Sequence, residues 1–453
     1  MKRLSRRSFL VASAAIAAGP ALAAPSRKRG APKPDEPRAA PPEVVIVGAG
    51  AAGIAAARRL TAAGRRVVLL EAGAEIGGRC ITDSTTFGVP YDRGAHWIYA
   101  AEFNPLAKLA TQTGLDLYPA PPGQRVRIGR RYAREGELEE MLAAVVRTSN
   151  AIAEAARKAD VSCARALPKD LGDWRGTVEF MLGPHGCGKD LTEVSATDFS
   201  RQPERENAAF CRQGFGALLA KLAAGLPVQL ATPVTAIEAR SRTGVVVETT
   251  QGRINAGAAI VTVSTNVLAA GKIKFAPELP RRHVDAAAKL KLGSYDRIAL
   301  ELPNNPLGLR PDELVFEKSD GPRTAAIFAN VSGSTLCTVD VGGGFGRDLS
   351  AKGEKEMVGF ALDWLSGLYG ADMKKLVKRT HATRWNQEPW VLGASSVAAP
   401  GAQPSRRVLM EPWRDRIWFA GEAAHETQWG TVAGAWESGE RAADAALRLL
   451  VRR

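Results

Sequence analysis

The chain has 453 residues, enough for two or three domains with sizeable cores. Hydrophobic residues are 45% and charged residues 24% of the total, which excludes a disordered or fibrous chain. The formal charge is +14, but nine Lys/Arg against two acids fall in residues 1–42, so half of the excess lies there. No nucleic-acid motif accompanies the remainder, and nucleic acid is not expected as a partner.

The first 23 residues read as a targeting segment. Lys2 to Arg7 is basic, residues 9–23 are short and weakly apolar, and Ala21-Leu22-Ala23 is an A-x-A cleavage site. Ser5-Arg6-Arg7-Ser8-Phe9-Leu10 resembles the twin-arginine export motif. That resemblance implies export of the folded protein by the twin-arginine machinery to the periplasm or beyond. Residues 24–42, rich in Pro and charge, read as a disordered linker. No later apolar run is long enough for a stable membrane span.

Val44 to Val47 is an apolar run between Pro42 and Gly48, the pattern of a buried parallel strand. Residues 51–63 read as an Ala-rich helix, and Val67 to Leu70 as a second buried strand closing with Glu71. The turn between the first strand and the helix is Gly48-Ala49-Gly50-Ala51-Ala52-Gly53. In this context the glycines have distinct tasks: Gly48 for the tight turn, Gly50 for close approach of a pyrophosphate, Gly53 for helix–strand packing. Phosphates would sit at the helix N-terminus beside Ala52, and Glu71 would accept hydrogen bonds from a ribose diol. The motif alone leaves FAD and NAD both open.

Further along, residues 135–160 read as helices. Short apolar stretches between residues 228 and 263, and Ile298 to Leu302, read as strands. Residues 355–370 and 373–379 read as helices, Ile417 to Ala420 as a last buried strand, and residues 431–450 as a last helix. Five cysteines show neither a CxxC pair nor metal spacing, so no metal is expected. Cys163 and Cys187 are open to pairing after export; five unpaired buried thiols are the alternative.

Glu71-Ala72-Gly73-Ala74-Glu75-Ile76-Gly77-Gly78-Arg79, followed by Tyr91-Asp92-Arg93-Gly94-Ala95-His96-Trp97-Ile98, resembles the flavin amine oxidase family, which includes monoamine oxidases, polyamine oxidases and flavin-type lysine demethylases. The resemblance continues at Phe419-Ala420-Gly421-Glu422-Ala423 and at Gly430-Thr431-Val432-Ala433-Gly434-Ala435. Looser matches are Gly214 to Leu219, Leu226 to Val228, Thr232 to Ile237 and Trp385 to Ser395. It implies FAD as cofactor, with Gly78 and Arg79 at the pyrophosphate. Gly94, Ala95, His96 and Trp97 would pass the flavin ring, and Val234 would meet the adenine. Gly421 and Glu422 would lie at the ribityl, and Thr431 and Val432 at the start of a helix aimed at the flavin.

Three departures bear on mechanism. Gly293-Ser294-Tyr295-Asp296-Arg297-Ile298 puts Arg297 where the family usually has a Lys that holds a water; Lys289 or Lys291 would take that place if the register slipped. The positions of the monoamine oxidase tyrosine pair correspond to Ser395 and Thr431, with Trp385, Trp390 and Trp429 as other sources of aromatic surface. The position of covalent attachment is Ala394, which implies non-covalent FAD. His96 and His425 fall in flavin-facing motifs, whereas His185, His283 and His381 read as surface residues.

The expected fold is α/β: a Rossmann-type FAD-binding domain (residues 43–100, 208–280 and 400–453) intertwined with a mixed α+β substrate domain (residues 101–207 and 281–399). The expected catalytic side chains are Arg297, His96, Trp390 and Thr431. The expected reaction is hydride transfer from the carbon next to the nitrogen of a small-molecule amine, with imine hydrolysis. Oxygen or a periplasmic electron carrier would be the acceptor. The alternatives are another FAD enzyme on this fold, such as an amino-acid oxidase or a desaturase, and a non-catalytic flavoprotein.

Overall fold

The computed structural model describes residues 40–202, 207–240 and 244–451. The chain divides into Met1–Ala40 and Pro41–Arg453. The signal-peptide reading and most of the linker reading lie outside the described residues. Among the described residues no helix is long and apolar enough to cross a membrane.

Five parallel strands form the first sheet. They are β1 (Val44–Val47), followed by helix α1 (Ala51–Ala62), then β2 (Val67–Leu70), β3 (Val228–Gln229), β4 (Ala258–Val261) and β5 (Ile417–Phe419). Helix α2 (Val432–Val451) closes the chain. The strand order is β5-β4-β1-β2-β3, and every pairing is parallel. A parallel sheet is covered on both faces, which explains the unbroken apolar runs. Alternation along β1 sends Val44 and Ile46 into a core with α1 and α2. It sends Val45 and Val47 into a second core with the strands Val234–Arg240 and Gly244–Thr249. Each fully buried Val or Ile contributes roughly 1.5–3 kcal/mol.

Small residues let these helices approach. A Cβ on Gly53 would lie 1.8 Å from the Gly48 carbonyl oxygen, and one on Gly439 would lie 2.1 Å from that of Ala52. Strands of this sheet come only from segments 43–100, 208–280 and 400–453.

A seven-stranded mixed sheet draws all its strands from residues 125–132 and 295–382. Strand Tyr295–Glu301 pairs antiparallel with Leu336–Gly342 on one side and Thr380–Ala382 on the other. Ile298 and Leu300 pack beneath helix Glu354–Tyr369. The intervening residues Tyr295, Arg297 and Ala299 therefore face the opposite way, toward the first sheet's domain. The helices read at 135–160 and 373–379 run over Glu135–Lys158 and Met373–Leu376.

Candidate active site

A cavity of about 1000 Å³ runs from the first βαβ turn to the cavity-facing side of the seven-stranded sheet. It is lined by Gly48, Gly50, Ala52, Glu71, Ala72, Gly78 and Arg79 from the first segment, and by Gly94, Ala95, His96 and Trp97 from the second. Val234, Gly421, Glu422, Thr431 and Val432 line it as well, and Arg297 and Trp390 also reach the wall. Gly53 does not line the cavity; its contact is the close packing of α1 on the first turn.

The residues present fit FAD. Gly48 has φ +102°, and a Cβ there would lie 2.6 Å from Thr262 Oγ1, so the turn demands glycine. Gly50 caps α1 without a side-chain hydrogen bond, leaving first-turn N–H groups for a diphosphate. The Glu71 carboxylate accepts the Ala49 N–H at 2.7 Å and the Gly73 N–H at 2.8 Å. Those two bonds leave further lone pairs for a diol. Thr431 Oγ1 accepts the Gly434 N–H at 3.0 Å, an N-cap that fixes where α2 begins.

Glu422 behaves differently from the expectation of direct contact with the ribityl. It is buried, and its carboxylate accepts from Arg79 Nη1 at 2.8 Å, Ser396 N at 3.0 Å, Ser396 Oγ at 2.6 Å and Gly430 N at 2.8 Å. Burial opposes its ionisation, but Arg79, Ser396 and Arg406 outweigh that and hold its pKa below the ordinary 4.5. Its lone pairs are spent on the protein, so it positions Arg79 and the Gly430 turn.

In the other half, Arg297 is buried, with Nη1 donating to the Asp92 carbonyl at 2.9 Å and Nε 3.9 Å from Asp340 Oδ1. His96 Nδ1 is 2.7 Å from Asp92 Oδ2, and its ring stacks on Phe210 at 4.6 Å. Its Nε2 is buried and meets no hydrogen-bond partner among the described residues. The Asp92 carboxylate also accepts from Thr82 Oγ1 and from the Phe215 N–H at 3.0 Å. Burial opposes charge there, yet these donors hold its pKa below 3.8. A fixed carboxylate on Nδ1 orients the imidazole.

Other expectations need correction. Lys289 and Lys291 are exposed and off the wall, so no register slip supplies a lysine for Arg297. His185 lies on the wall against Phe316 at 4.9 Å and Tyr295 at 5.8 Å. His283 is buried, its Nε2 3.4 Å from the Glu411 carbonyl, and His381 is half-buried against Tyr91. His283 is thus a core residue, and His185 and His381 are half-buried, each packed against a ring distant in sequence. His425 is off the wall, with Nε2 3.0 Å from Glu437 Oε2. Trp429 is core: its Nε1 donates to the Asp198 carbonyl at 3.2 Å. Trp385 and the half-exposed Trp390 do reach the cavity, as do Ser395 and Ala394. Cys163 and Cys187 are buried and form no disulfide, as is true of the other three cysteines.

Sequence reasoning missed Lys272, whose Nζ donates to the Pro389 carbonyl at 2.6 Å and lies 5.5 Å over the Trp390 ring. It also missed the ion pair Asp198–Arg406, with two contacts of 2.7 Å and both side chains fully buried. Arg406 Nη1 donates to Ser396 Oγ at 3.0 Å and so supports Glu422 from behind.

The model of flavin containing amine oxidoreductases matches residues 51–447. The chain belongs to that family. It is therefore an FAD-dependent amine oxidoreductase. It is 28% identical over 448 residues to polyamine oxidase 4 of Oryza sativa subsp. japonica, covering 90% of this chain and 88% of the relative. It is also 28% identical over 436 residues to lysine-specific histone demethylase 2 of Homo sapiens, covering 88% of this chain and 53% of that protein. The chain thus spans about half the length of that demethylase. Among solved structures, cyclohexylamine oxidase from Brevibacterium oxydans IH-35A superposes with a TM-score of 0.76 at 23% identity, over 91% of this chain and 100% of the other. A single mutant of putrescine oxidase, from a redesign of its cofactor binding, gives 0.76 at 21% identity, over 90% and 99%. These likenesses show the fold.

Proposed function

We propose that this protein binds FAD non-covalently along the α1 side of the cavity and oxidises a small-molecule amine in the chamber beside Arg297 and His96. What supports this reading is one continuous cavity: the Gly48 turn, Glu71 and Arg79 lie at one end, and Arg297, His96 and Trp385 at the other. When bound, FAD supplies the hydride acceptor for the C–H next to nitrogen. The chain's own groups do the rest. Trp97, Trp385 and Leu314 form apolar wall that keeps water from the reacting carbon. Arg297 and the Asp92-held His96 are fixed before substrate arrives, so orientation costs little at the moment of reaction. Ala394 offers no thiol for a covalent link.

Oxygen or a periplasmic electron carrier takes the electrons onward. The Ser5-Arg6-Arg7 motif supports folded export by the twin-arginine route to the periplasm or outside. Replacing Arg6 and Arg7 by lysine should leave the folded, yellow protein in the cytoplasm, and unchanged export would refute that route. The site reading is tested by anaerobic mixing of the purified flavoprotein with primary, secondary and polyamines and amino acids. Bleaching of the visible flavin band by one class supports it. No bleaching by any of them, with FAD clearly bound, overturns it.

A further inference from the structure

The chamber's charge pattern says more about the substrate than its shape does. Among the described wall residues the only carboxylates are Glu71 and Glu422. Glu71 is held by the Ala49 and Gly73 amides at the dinucleotide end. Glu422 is saturated by Arg79, Ser396 and Gly430. With the remaining lone pairs of Glu71 given to the ribose diol of bound FAD, neither offers an unpaired anion to a second ammonium group on a substrate.

The cationic side is uneven. Lys272 is occupied by the Pro389 carbonyl and the Trp390 ring, and Arg93, although its Nε has no partner, is part-exposed and pairs through Nη2 with Glu75. Arg297 alone among them is nine-tenths buried, on the wall and incompletely paired. Nη1 holds the Asp92 carbonyl; Nε stands 3.9 Å from Asp340 Oδ1, too far for a hydrogen bond, and has no other partner. Asp340 is itself drawn to Tyr295, whose Oη donates to its Oδ2 at 2.7 Å. Nη2 forms no hydrogen bond among the described residues. A guanidinium is always charged, and its free edge suits a carboxylate. The alternation of strand Tyr295–Glu301 aims Arg297 into the cavity, so this edge belongs to the chamber.

We propose that Arg297 anchors a carboxylate carried by the amine substrate, and that the chamber disfavours a second ammonium group. The substrate class is then an amino acid in the broad sense, an amine bearing a carboxylate, and not a diamine or polyamine. The proposal rests on the amine-oxidation reading above. It assigns Arg297 to substrate selection, where the family's usual lysine holds a water.

The test uses the FAD-loaded protein and length-matched probes: pentylamine, 1,5-diaminopentane, 5-aminopentanoate and norleucine. Flavin bleaching is followed without oxygen. Binding of pentanoate and of pentyltrimethylammonium, neither of which is expected to react, is followed separately by perturbation of the flavin spectrum. At least one of the two amino acids should reduce the flavin about tenfold more efficiently than pentylamine, with the diamine poorest of all. Pentanoate should bind and the quaternary ammonium should not. Arg297→Met should lose about tenfold in pentanoate affinity and should slow flavin reduction by the amino acid about tenfold more than reduction by pentylamine, and Arg297→Lys should keep part of the anion affinity. Preference for the diamine, absence of pentanoate binding to the unaltered protein, or an equal loss for pentylamine and amino acid in Arg297→Met would each overturn the proposal. If Arg297→Met does not retain FAD, the probe ranking and pentanoate titration of the unaltered protein decide. Failure of every amine to bleach the flavin would instead strike the amine-oxidation reading, and pentanoate binding would still report on Arg297.

Discussion

Arg79 and Glu422, 343 positions apart in sequence, meet at 2.8 Å on the wall of the cavity. Around that contact the Glu422 carboxylate also holds Ser396 and the Gly430 amide. One buried anion thus ties together the arginine after the second strand, the loop after Trp385 and the entry to α2. A cofactor that touches all three depends on this knot even though the carboxylate is turned inward.

Glu422→Gln should therefore weaken FAD retention as well as stability. The amide keeps the shape but removes the charge that pairs with Arg79, and breaking a buried pair typically costs about 3–5 kcal/mol. The pH dependence has a defined sign. The folded pKa of Glu422 lies below the ordinary 4.5, so its stabilisation is present above that value and is lost as pH falls through the folded pKa. Thermal melts should show the unaltered protein losing its advantage over Glu422→Gln on acidification. A constant gap across that range would count against the assignment.

The Asp198–Arg406 pair gives a second prediction. Both side chains are fully buried, and Asp198 also accepts the Ala398 N–H at 3.0 Å. Asp198→Ala leaves the Arg406 guanidinium without its anion beneath Ser396 and Glu422, and should cost about 3–5 kcal/mol. Replacing both partners, as Asp198→Leu with Arg406→Met, should cost less than removing Asp198 alone, because no buried charge is then left unpaired. Urea unfolding of the single and double variants checks the order.

These two networks mark where sequence reading stops. The strand Val44–Val47, the glycine turn and Glu71 are legible because local spacing alone specifies a buried strand, a tight turn and an acid at the next strand end. Arg297 is legible as a cavity residue only through its motif; the alternation along Tyr295–Glu301 supplies the physical reason. His185 and His283 read as surface residues because nothing near them in sequence is a partner, while Phe316 and Glu411 lie more than a hundred positions away. Asp198 and Arg406 are 208 positions apart and belong to no motif. Short-range patterns carry the elements and the glycine turns. Pairings across the fold depend on tertiary packing, which a single sequence does not display.

FAD should leave the protein on denaturation. The position that corresponds to covalent attachment is Ala394, which carries no thiol, and of the two cysteines on the wall Cys187 turns its Sγ to the Leu182 and Gly183 carbonyls and Cys80 turns its Sγ to the Ala95 carbonyl. Unfolding in denaturant followed by ultrafiltration should put all the yellow colour in the filtrate. Colour retained with the chain would show a covalent link at another residue.

Asp296 supplies a prediction of opposite sign to Glu422. It lies on strand Tyr295–Glu301 facing away from Arg297's side and is fully buried. Oδ1 accepts the Trp385 N–H at 2.8 Å and the Thr383 hydroxyl at 3.1 Å, while Oδ2 has no hydrogen-bond partner. Burial dominates and pushes the pKa up from 3.8 to about 6. The unfolded chain therefore releases this proton before the folded one does. The resulting stabilisation is present below 3.8 and is lost as pH rises through about 6, above which the folded protein carries an under-paired buried carboxylate. Asp296→Asn keeps an acceptor for Trp385 and Thr383 and removes that charge. It should melt at a higher temperature than the unaltered protein at about pH 8, with the gap closing as pH falls through the native titration. A variant less stable than the unaltered protein at every pH would mean that the Asp296 carboxylate is paired in solution by a group that the amide cannot satisfy.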